Sequence, residues 1–277
     1  MIVAHTPADF AAALRAEYGP EARPALVPTM GALHRGHREL MKWARRRDRP
    51  LVVSIFVNPL QFGPHEDLDR YPRSLEADLA LCEAEGVAAV YNPDVDTMYP
   101  NGTPRVLVDP GPLGTVLEGR SRPGHFAGVL TVVAKLFHAV RPAAAYFGEK
   151  DYQQLVLITA MARDLDFGTD IVPCPTVREQ DGLALSSRNQ YLSTVDRKRA
   201  QELSRALFAG AAQGYRGADA VLAAAREQLS EVDVDYLELT DPDLGPVPER
   251  GAARLLVAAR VGSTRLIDNV PIAVGEE

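Results

Sequence analysis

Residues Leu51–Val57 read LVVSIFV, an almost unbroken apolar run in which Ser54 is the one polar side chain. Such a run suits a strand buried on both faces, because polar and apolar positions alternate only where one face meets water. Upstream, Ala25–Pro28 reads as a strand and His37–Arg47 as a helix with one basic face. Downstream, Leu75–Glu85 is helical, Val87–Tyr91 a strand and Gly128–Val140 a helix. Ala144–Phe147 follows as a strand, Tyr152–Asp164 as a helix and Ile171–Pro173 as a strand. Strands that alternate with helices predict βαβ units and a parallel sheet. The expected class is α/β, a doubly wound sheet with ligands at the carboxyl ends of its strands.

The texture changes after Val177. Asp196–Gln213 and Ala218–Leu229 are Ala-rich helical stretches, and Asp233–Leu239 alternates, with Val234, Tyr236 and Leu239 beside the acids Asp235 and Glu238. Leu255–Val261 and Arg265–Ile267 read as strands joined at Gly262-Ser263. This predicts a smaller α+β domain and a division into residues 1–174 and 175–277. The Pro-rich stretch Asp241–Pro248 is a loop between strands, and no internal repeat or low-complexity tract stands out.

At 277 residues with 46% hydrophobic and 24% charged residues, the chain has the composition of an ordinary globular protein. A formal net charge of -7 disfavours a general nucleic-acid binder, which needs clustered Lys and Arg for phosphates. Cys82 and Cys174 are isolated thiols without Cys-x-x-Cys spacing, which points to a reducing compartment and away from zinc. No basic-then-apolar leader and no membrane-length apolar stretch is visible, so the expectation is a cytoplasmic protein with no membrane partner.

Four segments carry candidate chemistry. Pro28–His37 reads PTMGALHRGH: a strand end, a loop and a helix start near His37, where unpaired N–H groups and the positive dipole end favour phosphate. His34 and His37 stand three apart around Gly36, which has no Cβ to keep a ligand away. Taken alone, either histidine is better explained as a surface or capping residue; together they form the H-x-G-H pattern of nucleotidylyltransferases and related synthetases. Phe147–Gln154, FGEKDYQQ, follows a strand and opens a helix. There Gly148 allows a tight turn, Lys150 offers a point charge to phosphate, and Asp151 suits either ribose hydroxyls or an N-cap. Of Gln153 and Gln154, at most one faces a pocket. Leu183–Asn189, LALSSRN, supplies the hydroxyls of Ser186 and Ser187 and the planar fork of Arg188 beside a Gly182 hinge, or else a locally capped helix entry. Asn58–Gln61 places two amides at the end of the buried strand, where a small substrate would be read; simple Asn-Pro turn chemistry is the plainer alternative.

Together PTMGALHRGH, SIFVNPLQFG, YPRS, HFAGVLTVV, YFGEKDYQQL, PTVREQDGLALSSRN and DYLEL resemble the pantothenate synthetase (pantoate–β-alanine ligase) family of the H-x-G-H nucleotidylyltransferase superfamily. They stand in the family's order and cover most of residues 24–240. The resemblance implies a Rossmann-like N-terminal domain with a smaller C-terminal lid, a homodimer, and the use of ATP with Mg2+ to join pantoate to β-alanine. It implies that His34, His37 and Lys150 contact the ATP phosphates, with Ser186, Ser187 and Arg188 closing from the lid. Gly148 and Asp151 would hold the ribose, and Pro28, Met30 and Val177 would complete the ATP site. Asn58, Gln61, Gln154 and Arg122 would bind pantoate, with His125 at the border of the same cleft. Asp78 would face the magnesium and phosphates. The sequence departs from the family pattern at Leu185, where Met is expected, and at Ala77 and Leu81, where polar groups are expected on the helix that carries Asp78.

The implied chemistry is adenylation of a carboxylate followed by attack of an amine. A carboxylate is already nucleophilic at neutral pH, so placement and charge neutralisation suffice, which fits a site rich in His, Lys, Arg and hydroxyls without a Ser-His-Asp arrangement. Two rival readings are a nucleotidylyltransferase that stops at adenylation of a phosphate ester and a non-catalytic nucleotide-binding module; the presence of both His34 and Lys150 speaks against the latter.

Overall fold

The computed structural model describes residues 1–64, 66 and 68–275. Its strands are β1 Ile2–Ala4, β2 Ala25–Thr29, β3 Leu51–Ile55, β4 Ala89–Tyr91, β5 Ala144–Gly148, β6 Asp170–Cys174, β7 Asp233–Thr240, β8 Gly251–Val261 and β9 Thr264–Val274. Its α-helices are α1 Pro7–Tyr18, α2 Arg35–Arg45, α3 Leu75–Ala84, α4 Val95–Met98, α5 Glu118–Ser121, α6 His125–Val140, α7 Tyr152–Asp164, α8 Thr194–Ala211 and α9 Ala218–Arg226. By contact the chain falls into two compact units, Met1–Gly148 with Leu157–Cys174, and Glu149–Val156 with Pro175–Glu277. The segment Glu149–Val156, which carries Lys150 and Asp151, thus groups with the C-terminal residues.

In the first unit six strands form one sheet in the order β1-β4-β3-β2-β5-β6, every pair parallel. The run that begins at Leu51 is β3, and all five of its residues are buried. Alternate residues serve opposite faces, as the twofold repeat of a strand requires. Val27, Val53, Ile55, Val90 and Tyr146 join a core with Met41 and Ala44 of α2 and Cys82 of α3. Leu26 and Val52, one residue out of step, are fully buried on the other side. The order reverses direction between β2 and β5, the place where doubly wound sheets leave a crevice at their strands' carboxyl ends.

The second unit has a three-stranded antiparallel sheet, β7-β8-β9, against which α8 and α9 pack. Leu203, Leu207 and Val221 from the helices meet Leu255, Val257 and Ile272 from the strands.

Several details depart from the sequence reading. The chain before residue 24 supplies β1 and α1, which its composition did not announce; α1 is capped by Thr6, whose hydroxyl accepts from Asp9 N–H. α2 begins at Arg35 rather than near His37, because His34 is itself the cap. β9 runs to Val274, far beyond Ile267, since an antiparallel partner extends it through polar positions. The alternation expected in Asp233–Leu239 fails: a register shift between Val234 and Tyr236 buries Tyr236 and Leu237 in succession and leaves Val234 exposed. Both cysteines are free and buried. Among the described residues no helix is long and apolar enough to cross a membrane.

Candidate active site

The H-x-G-H loop leaves the carboxyl end of β2. Gly31 and Ala32 both take left-handed backbone angles, at φ +81° and +51°. At Gly31 a Cβ would stand 2.9 Å from Asp78 Oδ2, so both the angle and the approach exclude a side chain. Asp78, on the first turn of α3, is 3% exposed. Its Oδ2 accepts from Ala32 N–H at 2.9 Å and its Oδ1 from Leu33 N–H at 2.7 Å. A carboxylate that accepts two successive backbone amides, one on each oxygen, fixes the position of both. Asp78 therefore holds the strained turn that delivers the chain to His34.

His34 then caps α2. Its Nδ1 accepts from Gly36 N–H at 3.1 Å, and His37 Nδ1 accepts from His34 N–H at 3.2 Å, a reciprocal capping box built from two imidazoles. The ring centroids lie 4.1 Å apart. Because both Nδ1 atoms accept, the proton of each neutral ring belongs on Nε2. The first turn of α2 contains no acidic residue, which keeps the positive end of its dipole uncancelled. Two imidazoles beside a helix N-terminus with no acid in its first turn are the kind of surroundings that suit an anion.

A second cluster follows β3. Asn58 is 1% exposed and its amide is spent inside the protein. Its Nδ2 donates to Gln61 Oε1 at 3.0 Å and to Gly128 carbonyl at 3.1 Å; its Oδ1 accepts from Leu60 N–H and, at 2.7 Å, from Tyr99 hydroxyl. Burial pushes the Tyr99 phenol upward, so it remains a donor. Gln61 Nε2 donates to Met30 Sδ at 3.1 Å, a weak acceptor, and this contact ties the amides to the H-x-G-H loop. Arg122 forks onto Glu66, with Nε–Oε1 at 2.8 Å and Nη2–Oε2 at 2.5 Å, and its Nη2 also reaches Gln61 carbonyl at 3.3 Å. His125, first residue of α6, is wedged between Arg122 Nη1 at 2.9 Å and Gln61 carbonyl at 2.8 Å. A guanidinium only donates and a carbonyl only accepts, so His125 carries its proton on Nδ1. Burial, with the Arg122 charge second, lowers its pKa to about 4.

The second unit carries the other candidate residues. Glu149–Asp151 forms a single 3-10 turn before α7. Lys150 Nζ pairs with Asp151 Oδ1 at 3.2 Å. Gln153 is buried and Gln154 half-buried, so Gln154 is the more accessible amide of the two. Residues 177–185 fold back on themselves: Leu185 N–H donates to Val177 carbonyl, and Glu179 N–H to Leu183 carbonyl. Gly182, at φ +87°, makes the bend. Ser186 Oγ then accepts from Arg188 N–H at 3.2 Å and caps the turn Ser187–Tyr191. The local-capping explanation of Ser186 is thus realised, with the Arg188 side chain starting from the first turn of a short helix.

The family described as Pantoate-beta-alanine ligase matches residues 2–271. The chain belongs to the pantoate–β-alanine ligase family. It is 58% identical over 278 residues to the pantothenate synthetase of Nocardia farcinica, covering 99% of this chain and 87% of that one. The crystal structure of pantothenate synthetase from Thermus thermophilus superposes with a TM-score of 0.91 at 49% identity, covering 98% of this chain and 99% of that one. Pantoate-beta-alanine ligase from Francisella tularensis, solved as a complex with β-γ ATP and β-alanine, has a TM-score of 0.81 at 34% identity, covering 98% and 97%.

Measured against the ligase family's motifs, the first unit brings His34 to His37 and, through Met30, brings the H-x-G-H loop to Asn58, Gln61, Arg122 and His125. Pro28 lies within β2 and precedes that loop. Gly148 ends β5 with open space where a Cβ would stand. Sequence reasoning missed Tyr99 and Glu66, which complete the Asn58 and Arg122 networks, and missed Arg254 and Asn269, which grip the Lys150 turn. A signal was present for Arg254: it is a charge directly before the apolar run Leu255–Ala259 of β8, although the strand carries a second charge at Arg260. Nothing local marked the others.

Proposed function

We propose that this ligase condenses pantoate with β-alanine through a pantoyl adenylate and turns ATP into AMP and pyrophosphate. The observation that carries the reading is the paired-imidazole cap of α2, in a chain that the ligase family matches over residues 2–271. In the first step a pantoate carboxylate oxygen attacks the α-phosphorus; a P–O bond forms, the bond to the β-phosphate oxygen breaks, and pyrophosphate leaves. In the second step the uncharged amine of β-alanine attacks the acyl carbon, an amide forms, and AMP departs with the former carboxylate oxygen. No protein nucleophile takes part.

His34 and His37 donate from Nε2 to phosphate oxygens, and Lys150, Ser186, Ser187 and Arg188 supply the remaining charge and hydroxyls. These fixed donors stabilise the charge that develops as pyrophosphate departs. Gly148, Asp151, Met30, Pro28 and Val177 hold the nucleoside. Gln61 reads pantoate through Nε2, whose acceptor among the described residues is the weak Met30 thioether, and Gln154 offers a second amide. Asn58 is fully committed within the protein, so it shapes the pocket rather than touches the acid, while Arg122 keeps one Nη1 N–H beyond its bonds to Glu66, Gln61 and His125. The Francisella tularensis complex supports ATP and β-alanine as substrates.

The donor set does not fit a protein-held magnesium. Among the described residues no three His, Cys, Asp or Glu side chains cluster to hold an ion. Asp78 gives one oxygen to each of two backbone amides and is buried, and its neighbours Ala77 and Leu81 carry no ligand atoms. Asp78 is a loop anchor. Magnesium that accompanies ATP would be held mainly by the phosphates and water, with at most one or two protein carboxylates.

The test is isotope exchange. With pantoate, ATP and labelled pyrophosphate but no β-alanine, label should enter ATP. Exchange that depends strictly on β-alanine would contradict a free-standing adenylate step.

A further inference from the structure

The C-terminal strand β9 carries two adjacent polar residues, Asp268 and Asn269, each 3% exposed. Neither stands in a motif tied to phosphate binding, and both are costly to bury without partners. Their partners are unusually informative. Asn269 Nδ2 donates to two carbonyls in succession, Glu149 at 2.9 Å and Lys150 at 2.8 Å. Asn269 Oδ1 accepts from Arg254 Nε at 2.8 Å, and Arg254 Nη2 reaches Glu149 Oε2 at 3.0 Å. The Arg254 guanidinium also lies 3.9 Å from the centre of the Tyr152 ring. The turn Glu149–Tyr152 is therefore clasped by one amide and one guanidinium, and its Lys150 side chain starts from a backbone that β9 holds.

Asp268 acts on the neighbouring segment. Its carboxylate takes both Nη atoms of Arg178, at 2.6 and 2.9 Å. Arg178 Nη1 also donates to Gly182 carbonyl at 3.1 Å, and Arg178 pairs across the hairpin with Ala184. That hairpin leads directly into Ser186–Arg188. A planar guanidinium bound bidentately transmits position as well as charge. Asp268 Oδ1 also accepts the backbone N–H of Asn269 at 2.7 Å, which locks the two anchors to each other.

The geometry points to Asp268 and Asn269 as positioning residues that set both phosphate-facing segments of the second unit, the Lys150 turn through Asn269 and the Ser186–Arg188 segment through Asp268 and Arg178. This rests on the reading of Lys150 and Ser186–Arg188 as phosphate-binding groups. Neither anchor touches a reacting atom. Their value lies in registration, where a misplacement of about 1 Å can cost on the order of a hundredfold in rate.

Double-mutant cycles in the pyrophosphate–ATP exchange assay test it. Asn269→Ala should lower exchange by at least about tenfold in the otherwise unchanged enzyme and by less than about twofold when Lys150→Ala is already present. Asp268→Asn should behave the same way against Arg188→Ala. Arg254→Lys, which keeps the charge but not the fork, should repeat the Asn269 pattern and decides the matter if Asn269→Ala does not fold. Loss by the same factor in both backgrounds means a purely structural role and overturns the assignment. If Lys150→Ala or Arg188→Ala alone exchanges at the normal rate, the phosphate-binding reading of that segment fails first, and its anchor's role with it.

Discussion

The H-x-G-H loop and the Lys150 turn, both proposed to bind phosphate, are built on opposite plans. The H-x-G-H loop largely makes its own scaffold: His34 and His37 cap each other and the helix they begin, and one carboxylate, Asp78, holds the turn before them. The Lys150 turn is instead gripped from outside, by Arg254 and Asn269, more than a hundred residues later in the chain. A motif that contains its own scaffold keeps its geometry wherever its helix folds. A motif clasped from a distant strand has its geometry only once that strand is in place.

The largest expected effect contrasts the loops directly. His34→Ala and Lys150→Ala should each slow adenylation by about 10²–10³-fold, the usual loss when one preorganised charge-stabilising donor is removed. Only His34→Ala should also lose stability, by about 1 kcal/mol, because it deletes an N-cap. Exchange kinetics with thermal melts of both variants separate the two effects; equal stability losses would break the comparison.

The next effect is pH dependence confined to the first unit. His125 is neutral in the folded protein, with its pKa lowered from 6.5 to about 4 by burial and by Arg122. The unfolded chain binds this proton below about pH 6.5 and the folded chain does not until about pH 4, so stability falls as pH drops through that window. The loss amounts to at most about 3 kcal/mol. Denaturant melts at several pH values should show it, and His125→Gln should remove most of that slope. A variant with an unchanged slope would place the acid sensitivity elsewhere.

Asp78→Asn tests the one remote support of the H-x-G-H loop. An amide presents one acceptor where two N–H groups need two, and an unsatisfied buried donor costs about 1–3 kcal/mol. Stability should fall by that order and adenylation by roughly tenfold, with no change in the magnesium concentration that gives half-maximal rate. A raised magnesium requirement would restore Asp78 as an ion ligand.

The last effect concerns the acid. Among the described residues Gln61 Nε2 donates to the Met30 thioether, a weak acceptor that a pantoate hydroxyl would better. Gln61→Ala should reduce kcat/KM for pantoate by about 10–100-fold more than for a deoxy analogue. An equal reduction for both acids would make the residue a wall of the pocket.

The sequence was legible where pattern and packing coincide. Leu51–Ile55 is apolar because both faces of β3 are covered, and Tyr152–Asp164 matches its helix to the residue. The H-x-G-H segment was legible for a related reason: the reciprocal cap bonds of His34 and His37 span three residues or fewer. Of the two alternatives the sequence offered for His34, cap and phosphate ligand, the cap is the one formed within the chain. What could not be read were pairings between distant positions. Asn58 was expected to face substrate, yet Tyr99 and Gly128 consume its amide, and no local feature marks either partner. The strict alternation of Asp233–Leu239 suggested a regular strand, while the register shift beside Asp235 depends on β8. Likewise Asn269 looks like an ordinary strand residue until the Lys150 turn meets it.

The central claim is that a carboxylate of the substrate attacks the α-phosphorus of ATP. Pantoate labelled with heavy oxygen in its carboxyl group tests this most directly, because the attacking oxygen stays on phosphorus when the amide forms. After a full reaction with β-alanine, mass spectrometry of the products should find one labelled oxygen in AMP and none in pyrophosphate. Label in inorganic phosphate or pyrophosphate, or an AMP pool free of label, would contradict the account.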